Sequence, residues 1–437
     1  MMSLERVIVD TLRAEVKPAM GCTEPVAVAL AVAKAKEMCQ AGSTRETDGM
    51  MLEIKVSPNI FKNGLSVGIP GTDQVGLVVA SALGLLTCYS DDGLEVFKHV
   101  KQSDIEGAFK VIDEDRIKLG ILDTDKKVLI DARVVCGDAF GRAVIQDRHD
   151  QFVFVESHAG VVFEAEAVCA EDEAVNPIYE TPLSEVIRVV ESLPFEDLAF
   201  LLDGFEMNRA VAEYGLANDS GMNVGRTLEE NTRKGILSRD LMNRAMILTA
   251  AASDARMSGV SLPVMSSNGS GNNGLTALLP IVAYAETNPT SPDRLARAAA
   301  ISHLVNSVIK YNIGRLSALC GCGVAAGTGA SVAITWLMGG SVIQMEGAIQ
   351  NMIANTTGMI CDGAKVGCSL KLATSASAAI QSSLLAIGNV VVPSGNGVIG
   401  KTADETIKNL GYLSKNAMDV VDRVILNVMM GARTSVK

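Results

Sequence analysis

The chain has 437 residues, with 38 Lys and Arg against 50 Asp and Glu, a formal net charge of −12. An acidic chain with no Lys/Arg cluster argues against nucleic acid as a partner. Nine cysteines, an odd count at irregular spacing, exclude a simple disulfide framework, and the early charges in Met1–Asp10 exclude a signal-peptide core, so a reducing cytoplasm is the expected compartment.

Residues 1–45 read as two helices that pack on a larger helical domain. Thr23 is a good N-cap, Glu24 and Pro25 fall in the first turn, and an Ala-rich run continues to about Gln40. Cys22 then lies just outside a helix N-terminus, where the partial positive charge is expected to favour its thiolate.

From 46 to 175 the pattern changes to alternation. Met51–Val56, Lys127–Val135, Ala143–Gln146, Phe152–Glu156 and Val161–Ala165 read as half-buried strands of a mainly antiparallel sheet, with helices near 73–89 and 103–117. Ser57–Gly64 and Gly68–Thr72 read as a pair of turns around a short strand, where Lys62 and Asn63 could donate to a ligand. The acidic, Pro-containing run Ala170–Pro177 reads as a linker.

Residues 176–437 read almost entirely as helix with small-residue loops, giving an α+β protein with a large all-α domain. Leu316–Met345 holds no charged residue, so a membrane span has to be weighed. Its many Gly, Ser, Thr and Cys residues and its lack of aromatic belts favour a buried helix over a span. His303, among Leu304, Val305 and Val308, reads as a core residue.

Two features point to chemistry. Ser266–Gly274 is a dense run of Ser, Asn and Gly inside apolar helical sequence. Such a loop offers backbone N–H groups and a helix N-terminus to a carboxylate. The second feature is cysteine placement: Cys320-Gly-Cys322 and Cys361–Cys368 stand in tight Gly-flanked loops, not among bulky aliphatics. Soft thiolates on such loops suit zinc or iron–sulfur, although buried inert cysteines would leave the same pattern. No CxxC occurs, which disfavours a zinc ribbon. One of Cys320 and Cys322 is expected to be a bystander, leaving three ligands and, on a cubane, one open iron.

These pieces together resemble the L-cysteine desulfidase family, which is related to the α chain of iron–sulfur L-serine dehydratases. The matching residues are Gly21–Pro25, Val56–Asn63, Ile69–Thr72, Ser267–Gly274, Leu316–Gly323 and Cys361–Lys365. The resemblance implies a [4Fe–4S] cluster on Cys320, Cys361 and Cys368, no pyridoxal phosphate, and β-elimination from a small amino acid. It leaves cysteine and serine both open as substrate. Cys22 is the expected Cα base or resting ligand, with Lys62 and Asn63 as weaker catalytic candidates. Ser266, Asn268, Gly269 and Asn272 are the expected substrate-binding residues. A homodimer and no membrane complete the expectations, with a non-catalytic metal- or small-molecule-binding protein as the alternative.

Overall fold

The computed structural model describes residues 3–40, 49–165 and 175–434. Its sheet forms where the alternation predicts. Leu52, Ile54 and Val56 are buried while Met51, Glu53 and Lys55 face out, the period of a half-covered strand. Six strands run in the order Ile117–Ile121, Met51–Val56, Leu129–Cys136, Ala139–Gln146, Phe152–Ser157, Gly160–Glu164. All neighbours are antiparallel except Ile117–Ile121, which runs parallel to Met51–Val56 with Ile54 opposite Leu119. That edge strand was not expected. A parallel partner needs a long crossover, supplied by the helices Leu77–Leu86 and Gln102–Asp113.

The N-terminal segment divides, which corrects its assignment to the helical domain. Helix Leu4–Glu15 does pack on helices of the larger domain, Leu183–Ser192 and Pro292–Ile313. Helix Thr23–Gln40 instead covers the sheet: Val28, Ala31, Val32 and Ala35 join one core with Ile54, Ile130, Ala132 and Ala143. It sits so close that a Cβ on Gly141 would lie 2.1 Å from the Ala35 carbonyl oxygen. An all-round apolar helix carries no face that announces its partner, so sequence periodicity could not place it.

Pro58–Gly64, read as a turn, is a buried helix. Its Pro stands in the first turn, where a missing N–H is harmless. Most of the acidic linker candidate lies outside the described residues; Asn176 then caps a short turn at Pro177–Tyr179.

The larger domain is a stack of helices around one core, from Leu183–Ser192 to the 32-residue helix Ala403–Thr434. The central part of the uncharged run lies in this core: Gly321–Leu337 is helical, and Val324, Ala330, Val332 and Ile334 are fully buried, whereas Val342 and Ile343 are exposed. Among the described residues one helix, Cys368–Ile387, is long and apolar enough to cross a membrane; one face of it packs against Leu241–Met257 and Gly327–Leu337.

A small two-stranded sheet ties the N-terminus to the functional loop. Pro18–Met20 pairs antiparallel with Pro263–Met265, with Ala19 opposite Val264. The residues that follow each strand, Gly21–Cys22 and Ser266–Asn272, are thereby brought together.

Candidate metal centre

The two cysteine loops meet directly. Leu319 and Ile360 form an antiparallel bridge; Cys320 N–H donates to Met359 O at 2.9 Å and Cys361 N–H to Ala318 O at 2.6 Å. Cys368 opens the helix that follows, and its thiol lies 3.8 Å from Gly363 O. Gly363 has φ +91, and a side chain there would strike the Lys62 carbonyl at 2.2 Å, so only glycine lets this loop close on the first domain.

The thiols share one electrostatic neighbourhood. The two thiols of the Cys-Gly-Cys turn act on each other: Cys322 lowers the Cys320 thiol, and Cys320, with burial, raises that of Cys322. Burial raises Cys361, and it pushes Cys368 up to about 11. Lysines surround the group. Lys62 donates to Cys361 O at 3.2 Å. Lys371 donates to Ile360 O at 2.8 Å and pairs with Asp362. Lys365 pairs with Asp362 at 2.6 Å. Burial alone would raise the Asp362 carboxyl, yet Lys365 and Lys371 together hold it down at about 2. Lys310 is buried, donates to Arg315 O, and forms no ion pair among the described residues. Burial lowers its pKa, against the opposing pull of Cys322 and Cys361.

Cys22 joins from the other domain. It packs in a small cluster with Val67 and Met257, against which Cys368 also packs. Burial outweighs the opposing pull of Arg256 and pushes the thiol up to about 11, against the thiolate expected from its place before a helix. Glu24 is buried two residues on and accepts from Asn63 Nδ2 at 3.1 Å.

The Ser-Asn-Gly run is a tight turn that starts helix Gly271–Thr287, with Ser270 as its cap. Asn268 and Gly269 take φ of +50 and +74, which explains their residue types. Ser266 Oγ donates to Lys17 O at 2.6 Å. Asn268 Oδ1 accepts from Asn306 Nδ2 at 2.8 Å and Ser307 Oγ at 3.0 Å. Both groups are engaged in holding the loop. Asn272 faces the site differently: its Oδ1 accepts from Arg256 Nη1 at 3.0 Å. Ser270 Oγ stands 4.0 Å from Cys322 Sγ, which places this turn against the thiols.

The donor set fits an iron–sulfur group in kind: four soft thiols on two facing loops, with lysines to balance thiolate charge. Among the described residues no three His, Cys, Asp or Glu side chains already form a closed ligand set.

A family model described as serine dehydratase alpha chain matches residues 91–427. The chain belongs to this family. The matched segment holds the Ser-Asn-Gly turn and all four clustered cysteines of this alpha-chain relative, but not Cys22, Glu24, Lys62 or Asn63. A UPF0597 protein of Alkaliphilus oremlandii is 52% identical over 429 residues, 98% of this chain and 99% of its own. Another from Alkaliphilus metalliredigens is 53% identical over 428 residues, covering 98% of this chain and 95% of its own. A third, from Clostridioides difficile, is 48% identical over 425 residues, 96% and 98% of the two chains.

Sequence reasoning missed Glu24, Arg256, Asn273, Lys310 and Asp422. A signal existed for two of them. Lys310 is a lone charge among Val308, Ile309 and Ile313, and Arg256 ends an Ala-rich helix with no polar face to hold it.

Proposed function

We propose that this member of the serine dehydratase alpha chain family is an L-cysteine desulfidase. It would convert L-cysteine and water to pyruvate, ammonia and hydrogen sulfide by iron–sulfur-dependent β-elimination. The observation that carries this reading is the meeting of four thiols, Cys320, Cys322, Cys361 and Cys368, on paired loops, with Cys22 brought next to Arg256 by the two-stranded sheet. Cysteine is favoured over serine because the segments resembling desulfidases include Gly21–Pro25 and Val56–Asn63. Both lie outside the matched alpha-chain segment, and both supply residues to the site.

Cys320, Cys361 and Cys368 would hold a [4Fe–4S] cluster, with Cys322 as the fourth thiol, against Ser270. When bound, such a cluster supplies a Lewis acid for the departing sulfur. The chain's own residues do the rest. Cα proton removal needs an acceptor within hydrogen-bond reach. Cys22 is the proposed acceptor or resting ligand; Glu24, held by Asn63, is the neighbouring carboxylate that accepts the proton when Cys22 serves as ligand. The first turn of helix Gly271–Thr287 offers N–H groups and Asn272 to the substrate. The aminoacrylate released tautomerises and hydrolyses in water without the protein.

L-Serine dehydration is the second reading, favoured by the family match itself. Anaerobically purified protein should show a broad visible absorption band and release equal amounts of sulfide and pyruvate from L-cysteine. Preference for L-serine in kcat/KM would select the second reading. No elimination from either substrate by iron-loaded protein would end both.

A further inference from the structure

Arg256 is a buried cation without a counter-charge. Its residue is 6% exposed, at the end of helix Leu241–Met257. Nη1 donates to Asn272 Oδ1 at 3.0 Å and Nη2 to Gly21 O at 2.7 Å; both acceptors are neutral. Nε has no partner. Among the described residues no Asp or Glu forms an ion pair with this guanidinium. Buried charges are normally paired, so an uncompensated one marks a place where an anion arrives.

Its surroundings add further positive potential. Gly21 and Cys22 precede helix Thr23–Gln40, and Asn272 lies in the first turn of helix Gly271–Thr287, so two helix N-termini converge there. Asn273 Nδ2, on the same first turn, is a second buried donor without a partner. The seat is specific as well: a Cβ on Gly271 would lie 2.3 Å from Nε and 2.6 Å from Cζ, so any other residue would displace the guanidinium.

The clustered thiols do not explain Arg256. Lys310 acts on Cys320, Lys371 on Cys320 and Cys361, Lys62 on Cys361, and Lys365 on Cys368. Arg256 acts on Cys22, at the edge of that group. We propose that Arg256 is the anchor for the α-carboxylate of the amino-acid substrate, an inference that rests on the elimination reading above. A planar guanidinium with free N–H groups recognises a carboxylate through a fork that a lysine cannot reproduce.

The test uses ligands that cannot eliminate. L-Alanine keeps the carboxylate and L-alaninamide replaces it with a neutral amide. Calorimetric titration of the iron-loaded wild-type protein should show L-alanine binding at least about tenfold tighter than L-alaninamide, the size expected of one charge-assisted bond pair. Arg256→Gln should bring the two affinities together while iron content and the absorption spectrum stay unchanged. Arg256→Lys should recover only part of the preference. Equal binding of both ligands by wild type overturns the anchor, and so does a preference that survives in Arg256→Gln. Where the variants fail to fold, equal binding by wild type still overturns the anchor. Loss of the elimination reading is registered separately, as absent turnover of L-cysteine and L-serine.

Discussion

Lys62 Nζ and Asp422 Oδ1 form an ion pair at 2.5 Å, joining residues 360 positions apart in the chain. The lysine side chain is 3% exposed and the aspartate 13%. Lys62 also donates to Cys361 O, so this pair fastens the C-terminal helix and a cysteine loop to the same short helix, Pro58–Gly64. Its ammonium is therefore committed to structure, although sequence reasoning offered it as a catalytic group.

Lys62→Ala should leave the half-buried Asp422 without its cation, with only Asn59 Nδ2 at 3.4 Å as a donor. Breaking a buried pair from one side costs about 3 kcal/mol or more. Lys62→Met combined with Asp422→Leu should recover most of that loss, because no charge is then stranded. Denaturant midpoints of the three variants check this; a double variant as unstable as Lys62→Ala would refute the pairing argument.

The two cysteines of the Cys-Gly-Cys turn should differ in function. Cys320 is fixed by its N–H bond to Met359 O beside Cys361, whereas Cys322 lies in the following turn against Ser270. Cys361→Ser and Cys320→Ser should each lose iron. Cys322→Ser should keep it. Iron per chain and the visible spectrum of each variant report the outcome, and loss confined to Cys322→Ser would reverse the assignment.

Asn272 gives a graded test of the substrate pocket. Asn272→Ala removes the acceptor for Arg256 Nη1 and should lower kcat/KM about ten- to a hundredfold, an effect of about 1.5–3 kcal/mol, with iron unchanged. Asn272→Asp should do more. Its carboxylate would sit where Nη1 now finds a neutral oxygen and would compete with the substrate for the guanidinium. KM should therefore rise further in Asn272→Asp than in Asn272→Ala; the opposite order counts against a carboxylate at Arg256.

His303 should make the protein acid-sensitive. Its Nδ1 lies 2.9 Å from Ser267 Oγ, its Nε2 has no partner, and burial lowers its pKa to about 3. The unfolded imidazole takes up a proton near pH 6.5, the native one only near 3. Between those values the unfolded chain binds more protons, so stability falls as pH falls, by about 1.4 kcal/mol per unit below 6.5. Urea midpoints between pH 7 and 5 should show this slope, and His303→Asn should flatten it by about one proton. Equal slopes in both proteins would show that His303 is not buried as a neutral group.

The division between local and tertiary information follows from the range of the forces. Met51–Val56 declares its buried face by alternation alone, and Asn268–Gly269 declare a turn because their backbone must take positive φ. The clustering of thiols was legible too, since Cys320 and Cys361 stand in loops too small to be ordinary core. The sequence alone therefore determined the α+β plan, the Ser-Asn-Gly turn and the unusual setting of the clustered cysteines. Only the folded chain decided that helix Thr23–Gln40 covers the sheet, that Lys62 meets Asp422, and that Asn268 serves helix Pro292–Ile313 while Asn272 serves Arg256. Each of these depends on a partner dozens to hundreds of residues away. A buried charge such as Arg256 acquires its meaning from which opposite charges fail to reach it, and that is set by the packing of several elements together.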